Sequence, residues 1–201
     1  MRKFSFILLF ALSNFINADG GYYIGIGGGY SSLTGTVQSP YQFANTTSSS
    51  QSAGSFASTL YFGYDFNRWV GLQAEYNAAW AGQYSNSYSI NQQLLGGSIL
   101  LHFPFSVFSD SLNGLSVYAK GGYDYNAINF GAQSSCSGCL SVPSAAYGSS
   151  PMYGLGAEYG FKNIGYRLEW DYAGALMATS GGNNLVSTTS NSYFVSILYH
   201  F

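Results

Sequence analysis

Charge is what this chain has least of: Asp, Glu, Lys and Arg make up 7% of its 201 residues, where soluble domains carry about a quarter. A surface wetted on every side could not be covered by so few. There is no basic excess of the kind a nucleic-acid partner requires. Long hydrophobic runs are scarce as well. Beyond residue 18 the best stretch, 94–108, is interrupted by Gly96, Gly97, His102 and Pro104, and it falls short of the ~20 apolar residues of a spanning helix.

Histidine and cysteine are equally sparse, with two of each. His102 precedes Phe103 and Pro104, and His200 is the penultimate residue. Neither stands at a recognisable spacing from a hydroxyl and a carboxylate, as a nucleophile and its base would require. Cys136 and Cys139 form a C-x-x-C pair, but no histidine or further cysteine completes a zinc set. In an oxidising compartment this spacing predicts a local disulfide that staples a loop. The glycines from Gly25 to Gly29 precede no helix and so do not form a dinucleotide cradle. The sequence therefore predicts a protein that is not an enzyme and needs no cofactor or metal.

What the chain does have begins with a leader-like N-terminus: Arg2 and Lys3, an apolar stretch over 4–12, then Ala18 before Asp19. This order predicts a secretory signal peptide over residues 1–18 and one domain over 19–201. With Arg2 and Lys3 taken from the six basic residues, four remain against eight acidic ones, a net charge of −4.

The chain is also rich in aromatics, with 19 Tyr and 15 Phe, and they recur with a period of two. Val70, Leu72, Ala74 and Tyr76 alternate with Gly71, Gln73, Glu75 and Asn77; Tyr166, Leu168, Trp170 and Tyr172 alternate with Arg167, Glu169 and Asp171. A helix would scatter these sets, so each segment reads as a strand with one apolar and one polar face. Similar alternation marks Tyr22 to Tyr30, Phe56 to Phe66, Leu115 to Tyr125, Tyr153 to Phe161 and Tyr193 to Phe201. An eighth strand, 90–103, has two fairly apolar faces, with Leu95, Ile99, Leu101 and Phe103 assigned outward.

Eight such strands can close with apolar side chains inside, as in a soluble ligand-binding barrel, or outside, as in a membrane barrel. Glu75, Lys120, Glu158, Arg167 and Glu169 lie mid-strand, opposite the aromatics. Burying five such groups in an apolar pocket would cost several kcal/mol each. In a polar lumen they can pair. The predicted fold is thus all-β: an eight-stranded antiparallel up-and-down transmembrane barrel with a polar lumen, whose aromatics form interface girdles. Short connections at 67–68, 104–114 and 162–163 read as periplasmic turns. Long polar connections at 31–54, 81–89, 129–149 and 177–190 read as exposed loops.

Gly21-Tyr22-Tyr23-Ile24-Gly25, Phe62-Gly63-Tyr64-Asp65-Phe66, Tyr153-Gly154-Leu155-Gly156-Ala157-Glu158-Tyr159 and Gly165-Tyr166-Arg167-Leu168-Glu169-Trp170 together resemble the barrel domain of the outer membrane protein A and opacity-protein superfamily. The resemblance covers essentially all of 19–201. It implies an ionic network blocking the lumen, with Glu75, Lys120, Glu158, Arg167 and Glu169 as gate candidates. A Lys120–Glu158 pair would join neighbouring strands, and Glu75 with Arg167 would span the barrel. The resemblance is to the barrel domain only, so no peptidoglycan-binding domain is expected. The alternating end Tyr193, Val195, Ile197, Tyr199 and Phe201 resembles the signal read by the barrel assembly machinery.

Three functions follow as expectations. The first is a structural, surface-displaying protein of the bacterial outer membrane, with loops available for adhesion or envelope interactions. The second is a narrow or gated small-solute pore, in which protonating lumen carboxylates weakens their pairs with Lys120 and Arg167 and raises transient opening. The third, a lipid-modifying enzyme, lacks a visible catalytic cluster. The expected partners are outer-membrane lipid and lipopolysaccharide, the assembly machinery and periplasmic chaperones, and host or envelope surface ligands. A closed barrel leaves no free edge, so the expected state is a monomer.

Overall fold

The computed structural model describes residues 20–37, 51–84, 88–132, 145–180 and 183–201. Eight strands run in chain order: β1 (Gly21–Val37), β2 (Gln51–Asn67), β3 (Val70–Tyr84), β4 (Tyr88–Pro104), β5 (Leu115–Ala132), β6 (Ala145–Phe161), β7 (Ile164–Ser180) and β8 (Asn183–His200). Each is antiparallel to the next, and β8 pairs with β1 to close the barrel. Closure satisfies the backbone of every strand without solvent, which is the condition for crossing lipid.

The period-two pattern explains which face points where. Tyr22, Ile24 and Ile26 of β1, Leu60 and Phe62 of β2, and Tyr166 and Leu168 of β7 are exposed on the outer wall. Their alternates Tyr23, Thr59, Tyr61 and Arg167 are buried in the lumen. In β4, Leu95, Ile99, Leu101 and Phe103 point outward and Leu94, Ser98 and Leu100 inward. The lumen is filled rather than purely polar, because Leu33, Leu94, Leu100, Ile128, Met152, Phe194 and Leu198 are buried in it too.

The apolar outer band runs from Tyr22 and Tyr199 at one end to Tyr30 and Tyr193 at the other; each pair is close to in register across β1 and β8. Tyr22 to Tyr30 is nine residues, within the roughly 9–11 with which a tilted strand crosses a membrane barrel's apolar band. The strands are longer than that, at 15 to 18 residues. They continue past the band through much of what the sequence assigns to loops, including Ser31–Val37, Gln51–Gly54, Asn129–Ala132 and Asn183–Ser190. This corrects the predicted loop lengths. Above the band the strand meets no lipid, so nothing requires every second residue to be apolar and the sequence there is rich in Ser, Thr, Asn and Gly.

At the opposite end the connections are tight. Asn67 Oδ1 accepts the backbone N–H of Trp69 and Val70 (2.7 and 3.0 Å). Lys162 adopts the left-handed region (φ 56°) in the two-residue turn to β7. Gly114 also takes a positive φ, 89°, and its carbonyl accepts the Gly160 N–H at 2.7 Å. A Cβ at 114 would meet the Gly160 carbonyl, so glycine is required there on both counts. The remaining connection, 105–114, contains two short 3-10 turns, Phe105–Val107 and Asp110–Leu112. No helix among the described residues is long and apolar enough to cross a membrane. Residues 1–18, with the expected signal peptide, and Cys136 and Cys139 lie outside the described residues.

Candidate functional site

The lumen at mid-barrel is closed by one continuous polar network. Register places its members. Glu158 of β6 lies directly opposite Arg167 of β7, Gly156 opposite Glu169, and Gly154 opposite Asp171. Across the lumen, β3 supplies Gln73, Glu75 and Asn77, and β5 supplies Lys120 opposite Gly154. Small residues beside large ones give the long side chains room to cross the interior.

Two centres carry positive charge. Lys120 Nζ is held by Glu75 (2.7 Å), Glu169 (3.0 Å) and Asp171 (2.9 Å). Arg167 donates from Nε and Nη2 to Glu158 Oε2 (3.1 and 2.8 Å) and from Nη1 to Gln73 Oε1 (2.5 Å). Gln73 connects the two, since its Nε2 donates to Glu75 at 2.7 Å. Asn77 donates to the other oxygen of Glu75 at 3.2 Å.

Three tyrosines line the same space. The Arg167 guanidinium lies 5.3 Å from the ring centres of Tyr23 and Tyr61 and 4.9 Å from that of Tyr118. These rings offer their negative faces to a cation withdrawn from water, an attraction of about 2 kcal/mol or more when desolvated. Their hydroxyls also donate: Tyr23 to Gln73 (2.9 Å), Tyr61 to Glu169 (2.9 Å), and Tyr118 to Glu169. Glu169 thus accepts from two tyrosines and a lysine. Two of these buried rings fill space that a neighbouring glycine leaves open: a Cβ at Gly63 would run into the Tyr23 ring and one at Gly156 into the Tyr118 ring.

The structure brings Glu75, Lys120, Glu158, Arg167 and Glu169 into this one network, but with partners exchanged from those expected. The neighbouring-strand pair is Arg167–Glu158, Lys120 of β5 pairs with Glu75 two strands away on β3, and the contact between opposed strands is that of Arg167 with Gln73. Register is the reason. Lys120 stands opposite Gly154, four residues from Glu158, and its long stem passes over that glycine to Asp171 and Glu169 on β7 and reaches Glu75 on β3 instead.

Sequence reasoning missed Asp171, Gln73 and the three tyrosines. Asp171 follows Arg167 and Glu169 on the same face of β7, so its membership was readable. Tyr23, Tyr61 and Tyr118 fall on inward positions by alternation alone, although aromatic identity suggested the outer wall. Toward the loop end, Asp124 accepts from Ser150 (2.6 Å) and Asn126 (3.4 Å), and Gln92 donates to Asn126 (2.8 Å).

The two histidines close the turn end of the lumen. His102 is 3.6 Å from Asp65 and its ring lies 5.5 Å from that of Tyr118; His200 is 3.4 Å from Glu158 and 5.5 Å from the Tyr23 ring. Glu75, Glu169 and Asp171 also offer oxygens within 4.8 Å of one another, but the Lys120 ammonium already sits among them. On β8, Tyr193, Val195, Ile197 and Tyr199 occupy successive outward positions, and the Phe201 N–H that follows donates to the Tyr22 carbonyl at 3.0 Å.

An antiparallel eight-stranded barrel with an aromatic outer wall and a plugged ionic lumen defines a class of membrane-spanning outer-membrane proteins. Residues 4–201 match the outer membrane protein beta-barrel domain family, and the chain belongs to that family, which places it in the bacterial outer membrane. Neisserial surface protein A is similar in structure, with a TM-score of 0.59 at 15% identity, covering 91% of this chain and 99% of that one. OprG from Pseudomonas aeruginosa gives a TM-score of 0.53 at 14% identity, covering 92% and 97%. The N-terminal barrel of OprF from the same organism gives 0.52 at 12% identity, covering 91% and 100%. These likenesses show a shared fold. No curated protein matches the chain by sequence.

Proposed function

We propose that this protein is a structural, surface-displaying barrel whose lumen is closed at rest and whose outward end contacts envelope or host surfaces. The observation that supports this reading is the plug. Arg167 and Lys120 are only 1% and 4% exposed although both lie in the middle of the barrel. A conducting lumen would leave such groups wet.

The loop end has a composition of its own. The segments 31–54, 81–89, 126–149 and 174–190 contain no Asp, Glu, Lys, Arg or His. Contacts made there rest on hydrogen bonds from Ser, Thr, Asn and Gln and on aromatic rings, not on ion pairs. Binding through this end is therefore insensitive to ionic strength, unlike attachment through exposed charges. Assembly through the outward residues Tyr193 to Phe201, by way of periplasmic chaperones and the assembly machinery, and a monomeric state belong to the same proposal.

A second reading, a gated pore, is favoured by the charge count of the plug. Glu75, Asp124, Glu158, Glu169 and Asp171 are buried with only Lys120 and Arg167 to oppose them. Lys120 has three carboxylate partners within 3.0 Å, so it can exchange one for another at little cost, as a gate requires. Planar-bilayer conductance of the refolded protein separates the two. A folded but silent barrel supports surface display; discrete openings that Lys120→Ala alters make the pore the primary function.

A further inference from the structure

The connection between β4 and β5 carries an apolar surface that the barrel itself does not use. Its two 3-10 turns leave Val107, Phe108 and Leu112 exposed by 52%, 69% and 40%. The polar residues of the same turns include Ser109 and Ser111, hydrogen-bonded to each other at 2.7 Å, and the exposed Asp110 between them. In water such a patch would be a liability.

The patch is continuous with the lipid-facing wall. Phe103, the last outward residue of β4, contacts the ring of Phe105 (6.3 Å between centres), that of Phe108 (5.8 Å) and that of Trp69 in the neighbouring turn (6.1 Å). Phe105 and Phe108 also touch each other, at 6.4 Å. The cations of the described turns stand beside the same rim. The Arg68 guanidinium lies 5.3 Å from the Trp69 ring and the Lys162 ammonium 5.4 Å from the Phe161 ring. An apolar ring at acyl-chain depth with cations beside it matches a leaflet of phospholipid, whose phosphates lie just above its hydrocarbon.

We propose that the β4–β5 turn is a membrane foot: Val107, Phe108 and Leu112 enter the phospholipid leaflet at the turn end of the barrel, with Arg68 and Lys162 at the level of its phosphates. The occupant of the patch is lipid. The foot widens the barrel's anchorage on one side, at β3 to β5, and fixes its depth at the end where the tight turns lie. The loop-end segments, by contrast, contain no cation.

Spin labelling tests this in the whole chain. Phe108→Cys, in a background with Cys136→Ser and Cys139→Ser, is labelled with a nitroxide after refolding into vesicles of phosphatidylcholine and phosphatidylglycerol. Ser111→Cys, at the exposed serine that hydrogen-bonds Ser109 in the same turn, serves as reference. Folding of each variant is checked by heat-shifted gel migration, and Val107→Cys replaces Phe108→Cys if the latter does not fold. The expected result is an oxygen-to-nickel-chelate accessibility ratio several-fold higher at 108 than at 111. Equal, chelate-dominated accessibility at both positions overturns the proposal, and so does loss of the 108 signature with spin–spin broadening, which would show a second protein copy on the patch.

Discussion

Arg167 and Tyr118 come from strands on different sides of Glu158, yet the guanidinium of one lies 4.9 Å from the ring centre of the other. The tyrosine hydroxyl meanwhile donates to Glu169. A single aromatic side chain thus faces a buried cation with its ring and a buried anion with its hydroxyl, which ties the two halves of the lumen network together.

Replacing Tyr118 by Phe keeps the ring against Arg167 and removes one donor from Glu169. Leaving a buried carboxylate short of one hydrogen bond costs about 1–3 kcal/mol. Urea unfolding in lipid vesicles should show that loss for Tyr118→Phe and a larger one for Tyr118→Ala, which forfeits the cation–ring contact as well.

Lys120→Met should be more damaging than any tyrosine change. It strands Glu75, Glu169 and Asp171 around an empty centre, and breaking a buried pair by removing one partner costs about 3–5 kcal/mol. Adding Glu75→Gln and Asp171→Asn should restore much of the stability. Failure of that triple variant to recover would show that stranded carboxylates are not the cause of the loss. The heat-shifted migration midpoint is the readout.

Arg167→Lys preserves charge but not shape. The planar fork donates to Glu158 from two nitrogens and to Gln73 from a third, and a lysine ammonium cannot reproduce that geometry or lie flat against three rings. Stability should fall although the net charge is unchanged, and Lys120→Arg should not compensate for it.

Gly156→Ala places a Cβ into the ring of Tyr118. Overpacking of this kind costs about 1–3 kcal/mol, so the variant should refold more slowly and melt earlier. Gly121→Ala, whose Cβ would meet nothing within 4 Å, is the matched control on β5 and should leave stability nearly unchanged or raise it.

For the pore reading, acidification should increase the frequency of openings. Five buried carboxylates face two buried bases, and each proton added to a carboxylate removes a partner from Lys120 or Arg167 or relieves repulsion between acids. Conductance that stays the same from neutral to acidic solution would count against a gate built from this network.

The outer wall was legible in the sequence because lipid leaves no choice. Where a strand crosses hydrocarbon, every second residue must be apolar, so Tyr166, Leu168 and Trp170 declare both the strand and its orientation. The weakly patterned β4 was readable for the same reason: Leu95, Ile99, Leu101 and Phe103 had to face lipid once the neighbouring strands did. Where the strands rise beyond the apolar band, as at Ser31–Val37 and Asn183–Ser190, water lies on the outside, the alternation lapses, and the sequence of a strand there resembles that of a loop.

The sequence by itself determined the strand number, the closed membrane barrel and the residues that face inward, because all three follow from a period of two imposed by lipid on one side. Only the tertiary structure decided who pairs with whom in the lumen. Inward residues of eight staggered strands meet according to register and side-chain reach. That is why Lys120 reaches two strands either way, to Glu75 on β3 and to Glu169 and Asp171 on β7, while Arg167 takes Glu158, and why three inward tyrosines close around a guanidinium that no local pattern places among them.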